Sequence, residues 1–233
     1  MKHFSNRYIF FFSTVMVVIV ASLLSLAATL LQPAQARNLE IEKKKNMLES
    51  IGVSATRQNT VELYEKYIKE GQVINHRGET VDNVVAFDVV LKNEQKKPLE
   101  DQYLPVFKAY PDDGEKVIIL PVEGKGLWGP IYGYVSLKAD LNTIYGVNFD
   151  HDGETPGLGA EINTSSFESM FVGKKLFENE KFVSVRVHKG GADPSDMHGV
   201  DAISGGTITS KGLEDMLFDS LEKYNDYLLK NRI

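Results

Sequence analysis

One apolar segment near the start of the chain constrains the fold more than any other feature. Residues 8–31 form an almost unbroken apolar run of 24 residues with no charged side chain. A helix of that length rises roughly 36 Å at about 1.5 Å per residue. This is enough to cross a bilayer core of about 30 Å. The sequence therefore predicts a transmembrane helix at about 8–31, within an N-terminal segment 1–36.

The same segment has a competing interpretation as a cleaved secretory signal, because Ala34-Gln35-Ala36 has the small-x-small form of a cleavage site. The apolar cores of such signals run about 7–15 residues, so the length favours a retained single-pass anchor. Lys2 and Arg7 precede the run, and four basic residues follow it, namely Arg37, Lys43, Lys44 and Lys45. By the positive-inside rule, this count favours a cytoplasmic position for the rest of the chain.

The charge balance of the remaining chain excludes some classes of protein. Residues 1–36 hold two basic residues and no acid, so the remainder has 24 Lys and Arg against 32 Asp and Glu, a net charge of −8. Such a body is not expected to bind nucleic acid. The chain has no cysteine, which excludes both iron–sulfur ligation and a disulfide within it.

The order of sequence periodicities predicts an α+β fold. Helical spacing ends at Gly52, and a second helix is predicted from Asn59 to Gly71. Alternation then predicts strands at 85–91, 131–137, 145–149 and 183–187, and 116–122 is a further candidate strand. Helical spacing predicts a last helix at about 210–229. We therefore expect a helical stalk or packing region at 37–80. One soluble domain at 81–233 follows, with a mostly antiparallel sheet flanked by helices.

The run Asp201-Ala-Ile-Ser-Gly-Gly-Thr-Ile-Thr209 precedes that last helix. Gly205 and Gly206 permit backbone angles and close approaches that other residues do not. The free N–H groups and the dipole at a helix N-terminus favour a phosphate there. An ordinary loop with an N-cap is the competing interpretation, and the run lacks the Walker spacing of a nucleotide P-loop.

Two further glycine-rich runs are prominent. Gly124–Gly129 matches Gly-x-Gly-x-x-Gly, but a predicted strand follows it, whereas a dinucleotide fingerprint must open a helix. Its Trp128 is either a core residue or an apolar platform for a ligand. In the run from Glu154 to Gly159, proline fixes one backbone angle and the glycines allow a flat ligand to approach. The preceding Asp152-Gly153 is better explained as a turn than as part of a calcium loop.

Other polar residues carry no recognised site. A set of histidines and aspartates lacks the spacing of a zinc site and is expected on surface loops: His151, His188, His198, Asp193 and Asp196. Ser204 lacks the Gly-x-Ser-x-Gly context of a hydrolase nucleophile. We therefore predict no metal and no catalytic side chain.

The run Asp-x-x-Ser-Gly-Gly-Thr-x-Thr resembles the flavinylation motif of the FMN-binding domain found in the C subunit (NqrC) of the sodium-translocating NADH:quinone reductase and in the G subunit of the Rnf complex. The two glycine-rich runs and the N-terminal anchor also match the NqrC pattern. The resemblance implies FMN bound covalently to Thr207 through a phosphoester. Gly206 stands where the family usually has alanine.

The resemblance also implies the rest of the flavin site. The other cofactor-binding residues expected from the motif are Asp201, Ser204, Gly205, Gly206 and Thr209, with Ser204, Thr209 and the glycine amides as donors to the phosphate. Leu127 and Trp128 are expected near the isoalloxazine ring, and Glu154 is a candidate orienting group. The expected pocket wall consists of Thr155, Gly157, Leu158 and Gly159.

The function implied is that of one component of a translocase that couples NADH oxidation by ubiquinone to sodium export. The component would relay electrons between an iron–sulfur centre and a second FMN in neighbouring membrane subunits, after a magnesium-dependent flavin transferase has modified it. The family places the soluble domain on the periplasmic side of the bacterial inner membrane, against the local charge count. Two alternatives stay open: the Rnf component, and a membrane-anchored binding module without redox function.

Overall fold

The computed structural model describes residues 5–232, in two compact units that divide between Lys43 and Lys44. The first unit is helical and belongs to α1, Asn6–Ser50. Within residues 5–232, α1 alone is long and apolar enough to cross a membrane, and it contains the predicted span 8–31. Lys2, which entered the charge comparison, lies outside the described residues.

The predicted stop of this helix at Gly52 is confirmed. Gly52 adopts a φ of +76°, and its N–H donates to the Glu49 oxygen at 2.9 Å. The N–H of Val53 donates to the Leu48 oxygen at 3.0 Å. This pair of hydrogen bonds around a left-handed glycine is a Schellman motif, which satisfies carbonyls that the helix end leaves free.

The second predicted helix is present but ends earlier than Gly71. Helix α2 covers Thr60–Tyr67, and the next residue begins strand β1. Gly71 lies inside that strand, where a Cβ would meet the side chains of Ala86 and Phe107 at 3.2 Å. This glycine therefore makes room for packing and does not terminate a helix.

In the sequence, Asn59 with Glu62 resembles a variant of the capping box at the start of α2, but the structure does not form it. Asn59 makes no side-chain cap, and its Oδ1 accepts the N–H of Thr56 at 2.7 Å. The stretch 37–80, predicted to be helical, also supplies strands β1 and β2 to the central sheet. Its role is therefore not limited to that of a helical stalk.

The central sheet of the second unit has six strands in the order β2-β1-β3-β4-β5-β6, and each neighbouring pair is antiparallel. The hairpin of β5 and β6, joined through Leu141 with a φ of +52°, is confirmed. The strands are β1 Ile68–Ile74, β2 Thr80–Val81, β3 Leu104–Ala109, β4 Val117–Lys125, β5 Pro130–Leu137 and β6 Ile144–His151.

The remaining elements are short strands and helices around this sheet. Strands β7 and β8 form an antiparallel pair, and β9 and β10 form a parallel pair. These strands are β7 Phe177–Glu178, β8 Lys181–Phe182, β9 Arg186–His188 and β10 Gly199–Asp201. The helices are α3 Leu91–Glu94, α4 Ser165–Glu168, α5 Thr207–Glu222 and α6 Asn225–Asn231. Single 3₁₀ turns lie at Ala86–Asp88, Leu99–Asp101, Gly159–Asn163 and Ser169–Phe171.

Two predicted strands are wrong. Residues 85–91 form a 3₁₀ turn and the start of α3, because Ala86 enters the core while Val85, a member of the alternating set, is 62 % exposed. Residues 183–187 are interrupted by Ser184, which has a φ of +57°, so a strand forms only from Arg186. In both places, tertiary packing overrides the local alternation.

Alternation along β4 explains why the sheet has a core on each face. Ile118, Leu120 and Val122 pack with residues of α5 and α6 on one face. Val117 and Ile119 pack on the other face with the end of α1 and with α2. Successive side chains of a strand point to opposite faces, so one strand contributes to both cores.

The predicted final helix is two helices. Helix α5 begins at Thr207, three residues before the predicted start, and ends at Glu222. Helix α6 begins at Asn225. Between them, Tyr224 is 1 % exposed, and its hydroxyl donates to the Pro105 oxygen at 3.1 Å. Burial of this tyrosine against β3 fixes the break.

Glu168 sits against the outer strand β6 and gives the fold a pH-dependent element. Its Oε1 accepts the N–H of Phe149 at 2.8 Å. Burial, together with the nearby carboxylates of Glu49 and Asp150, raises the pKa of Glu168 to about 7. The hydrogen bond from Phe149 opposes that rise but does not cancel it.

We expect Glu168→Gln to raise the free energy of unfolding more at pH 8 than at pH 5. The folded state holds the proton more tightly than the unfolded state, whose pKa is about 4.3. The free energy of unfolding therefore falls as pH rises from about 4.3 through about 7. A neutral amide does not suffer this loss. At pH 8 we expect the substitution to add on the order of 1 kcal/mol to the free energy of unfolding, a figure that already allows for the partial exposure of the group. Chemical denaturation at both pH values measures the change in the free energy of unfolding, and Glu180→Gln at an exposed position is the control. An equal effect of Glu168→Gln at pH 5 and pH 8 would contradict the raised pKa of Glu168.

Candidate functional site

Residues 201–210 form a turn that leads from β10 into α5. Gly205 adopts a φ of +75°, a conformation that favours glycine, and Gly206 occupies the N-cap position without a side-chain cap. The N–H of Ser210 donates to the Gly206 oxygen at 2.8 Å, so the amides of residues 207–209 precede the helical hydrogen bonds. These amides and the positive end of the helix dipole favour an anion at this turn.

The hydroxyl side chains of this turn differ in accessibility. Ser204 and Thr207 are exposed. Thr209 is 2 % exposed, and its Oγ1 donates to Glu154 Oε2 at 2.6 Å. Ser210 is equally buried, and its Oγ accepts a backbone N–H at 3.1 Å. Thr207 is therefore the exposed hydroxyl of the first turn of α5.

Glu154 connects this turn to the loop between β4 and β5. Its Oε1 accepts the N–H of Trp128 at 2.9 Å, and its Oε2 accepts the Thr209 hydroxyl. Burial raises the pKa of Glu154, but the hydrogen bonds from Thr209 and from the amides of Trp128 and Gly129 outweigh it. The pKa therefore lies below the usual range of a glutamate. A buried carboxylate is held in its charged form beside the start of α5.

The run Gly124–Gly129 leads into a strand. The N–H of Gly126 donates to the Gly129 oxygen at 2.8 Å, which closes a turn, and β5 begins at Pro130. The strand predicted after this run is therefore confirmed. Trp128 is 69 % exposed, so the alternative of a core tryptophan is wrong. Leu127 is also exposed.

The loop after Glu154 is compact and lies against the α5 turn. The oxygen of Thr155 accepts the N–H groups of Leu158 and Ala160, each at 3.1 Å, and Gly157 has a φ of +75°. Leu158 is exposed and close to the motif, since a Cβ at Gly205 would lie 2.5 Å from its Cδ2. The loop after Glu154 and the glycine-containing turn before α5 are therefore in contact.

Asp201, the first residue of the motif, ends strand β10. Its Oδ1 accepts the N–H of Ala192 at 2.7 Å, which fixes the loop between β9 and β10. The carboxylate thereby supports the strand that leads into the motif. Its contribution to the site is indirect in this structure.

The remaining histidines and aspartates hold loops. His198 Nδ1 lies 2.7 Å from the Lys175 oxygen, and His188 Nε2 lies 3.5 Å from Asp196. His151 Nδ1 accepts the N–H of Glu154 at 3.3 Å, and Asp193 accepts the N–H of Ser195 at 2.8 Å. Across residues 5–232, no group of three or more His, Cys, Asp or Glu is arranged to hold a metal ion.

Two residues of α5 that the sequence did not single out also shape the site. Ile208, next to Thr207, is 61 % exposed. Gly212 packs against the end of β4, where a Cβ would meet the Lys125 oxygen and lie 3.4 Å from Gly126 Cα. A glycine within an otherwise apolar-periodic helix was the available signal of such a close approach.

The structure joins these features into one region through Glu154 and Leu158. The region has an exposed hydroxyl at an uncapped helix N-terminus. Exposed apolar side chains lie on the turn after β4, on the loop after Glu154 and on α5, namely Leu127, Trp128, Leu158 and Ile208. The combination fits a ligand with one phosphate group and a flat apolar ring, because the amides favour the anion and the apolar side chains favour the ring.

Comparison with known proteins agrees with that chemistry. The FMN-binding domain family matches residues 126–222, which include the turn after β4 and all of α5. The chain is 35 % identical over 222 residues to the C subunit of the Na⁺-translocating NADH-quinone reductase of Haemophilus ducreyi, covering 87 % of this chain and 86 % of the relative.

Two crystal structures are also similar. That of the C subunit from Parabacteroides distasonis has a TM-score of 0.78 and 41 % identity, covering 85 % of this chain and 96 % of that chain. That of the Shewanella oneidensis protein NqrC has a TM-score of 0.71 and 29 % identity, covering 85 % of this chain and 98 % of that chain. The fold class predicted from the sequence is therefore confirmed.

Proposed function

Because the chain belongs to the NqrC family of the Na⁺-translocating NADH-quinone reductase, an ion-translocating oxidoreductase, we propose that it carries FMN covalently on Thr207. The observation that carries the proposal is the position of this threonine. Thr207 is exposed, begins α5, and follows an N-cap glycine that leaves the first-turn amides uncapped. A phosphoester there would place its negative charge at the helix N-terminus, where amides and dipole stabilise it.

The residues around Thr207 would hold the phosphate. The backbone amides of the first turn and the exposed hydroxyl of Ser204 are the available donors. Gly205 and Gly206 give the backbone room to approach the ester. Thr209 contributes through its backbone N–H, because its hydroxyl already donates to Glu154.

The isoalloxazine ring would lie against the apolar residues of two neighbouring loops. Leu127 and Trp128 supply exposed apolar surface from the turn after β4. The loop after Glu154 supplies the rest of the wall, namely Thr155, Gly157, Leu158 and Gly159. The bound flavin supplies the redox chemistry, and these residues supply position and a local electrostatic environment.

Attachment requires a group transfer that this chain does not perform itself. In the proposed reaction, a magnesium-dependent flavin transferase binds FAD, and Thr207 Oγ attacks the phosphorus on the FMN side. The new O–P bond forms as the pyrophosphate bond breaks, AMP leaves, and the hydroxyl proton passes to a base or to water. The exposure of Thr207 gives such an enzyme access to the hydroxyl.

In the assembled complex, we propose that the chain passes electrons between an iron–sulfur centre and a second flavin held by partner membrane subunits. Helix α1 would anchor it as a single pass, with the second unit on the periplasmic side of the inner membrane. Covalent attachment suits that location, because it prevents loss of a cofactor that is not replaced outside the cytoplasm. The named relatives belong to the reductase, which favours it over the Rnf complex.

Peptide mapping of the chain purified from its own membrane tests the proposal. We expect the peptide that contains Thr207 to carry the mass of FMN less one water, and to fluoresce after proteolysis. The same chain produced without a flavin transferase is the control and is expected to be unmodified. An unmodified peptide in the native protein would instead support a membrane-anchored binding module without redox function.

A further inference from the structure

Glu154 is the most buried acidic side chain near the proposed flavin, with 5 % exposure. Three donors converge on its two oxygens: the Thr209 hydroxyl at 2.6 Å, the Trp128 amide at 2.9 Å and the Gly129 amide. Hydrogen bonds to a charged acceptor are stronger than neutral ones. The carboxylate therefore ties the first turn of α5 to the turn that carries Trp128.

The glycines on both sides of Glu154 leave space for that carboxylate. A Cβ at Gly159 would lie 2.5 Å from Glu154 Oε2, and a Cβ at Gly126 would lie 3.0 Å from its Cδ. The Cβ at Gly159 would also meet Thr209 Oγ1, and the Cβ at Gly126 would also meet Glu154 Oε1. A side chain at either position would therefore require the carboxylate to shift from its observed place.

The position of Glu154 has a consequence for charge. Its hydrogen bonds keep the carboxylate ionised although it is buried, and a charge acts more strongly where water is excluded. Because Trp128 and Thr209 contact it directly, the charge lies between the proposed ring platform and the proposed attachment turn. Reduction adds negative charge to a flavin, and a fixed negative charge nearby opposes that addition.

The geometry points to Glu154 as a positioning residue that holds the attachment turn against the Trp128 turn and lowers the reduction potential of the attached flavin. This inference rests on the proposed function for its second part only. The first part concerns contacts within the chain and is independent of any cofactor.

Two variants separate charge from position. Glu154→Gln keeps the size and its oxygen can still accept the Trp128 amide, while its NH₂ can donate to the Thr209 hydroxyl, which also accepts. Glu154→Gln therefore removes the charge and keeps a hydrogen bond to each of the two turns. Glu154→Ala removes both. Glu161→Gln is the matched control, because Glu161 lies in the same loop and its Oε1 accepts the exposed N–H of Gly157 instead of joining the two turns.

The first measurement is the midpoint potential of the full chain after co-expression with a flavin transferase. We expect Glu154→Gln to be modified at Thr207 and to have a more positive potential than the unsubstituted chain, and we expect Glu161→Gln to match the unsubstituted chain. A Glu154→Gln potential equal to that of the unsubstituted chain would overturn the electrostatic role.

The second measurement needs no flavin. Hydrogen exchange of the unmodified full chain reports the amides of Trp128 and Gly129 directly. We expect Glu154→Ala to exchange at these amides about tenfold faster or more, as the loss of hydrogen bonds to a charged acceptor implies, with Glu161→Gln unchanged. Unchanged protection in a folded Glu154→Ala chain would overturn the positioning role. If native Thr207 proves unmodified, the proposed function fails, but this measurement still tests whether Glu154 holds the two turns together.

Discussion

Thr207→Ala is expected to abolish covalently bound flavin while leaving the fold intact. The substitution removes the one oxygen that can form the proposed ester, so the effect on attachment is all or none. The side chain is exposed, and substitutions at exposed positions usually change the free energy of unfolding by about 0.5 kcal/mol or less. In-gel fluorescence and intact mass measure attachment, and thermal denaturation measures stability.

Two controls make this result specific. Ser204→Ala changes the other exposed hydroxyl of the turn and is expected to keep the covalent flavin. Thr207→Ser keeps a hydroxyl, and any modification it carries should map to position 207. Covalent flavin on the Thr207→Ala chain would move attachment to another residue. Thr209 is a poor substitute because it is buried and hydrogen-bonded to Glu154.

Gly212→Ala is expected to destabilise the second unit and to reduce flavin attachment. Alanine is normally favoured over glycine inside a helix by about 1 kcal/mol. Here a Cβ would meet the Lys125 oxygen, a backbone atom that cannot rotate away. Forcing an extra methyl into such a contact costs about 1–3 kcal/mol. Because α5 begins at Thr207, any shift of the helix away from β4 also moves the attachment turn.

Chemical denaturation of the full chain measures the stability change, and flavin content measures the effect on the site. Asp219→Ala is the matched control, because Asp219 is exposed on the same helix and alanine is the better helix former there. We expect that control to be neutral or slightly stabilising. A Gly212→Ala chain as stable as Asp219→Ala would show that α5 does not pack against β4 at this glycine.

The sequence predicted best where a pattern depends on near neighbours. A run of apolar residues predicted β4, and alternation predicted the hairpin of β5 and β6, because a strand buried on both faces has apolar residues in succession while a strand with one buried face alternates. The end of α1 at Gly52 and the long apolar helix were also predicted from neighbouring residues alone. By contrast, β1 and β3 were missed. In β1, Gly71 resembles a helix stop until its packing against Phe107 is seen.

The candidate site shows the same division. The motif around Thr207 and the two glycine-rich loops were recognisable as short runs of sequence. Their meeting was not, because the hydrogen bond from Thr209 to Glu154 joins residues 55 positions apart, and that from Trp128 joins residues 26 positions apart. Which hydroxyl is exposed also depends on burial by distant elements.

The sequence by itself determined the long apolar helix, the α+β class and the runs of residues with unusual backbone freedom, because each depends on composition and periodicity within a few turns of chain. Only the tertiary structure decided that Trp128 is exposed and that Thr209 is withdrawn from solvent while Thr207 is presented. It also decided that Gly212 must lack a side chain. Each of these depends on which distant backbone or carboxylate lies opposite, and that is set by the packing of α5 on the sheet.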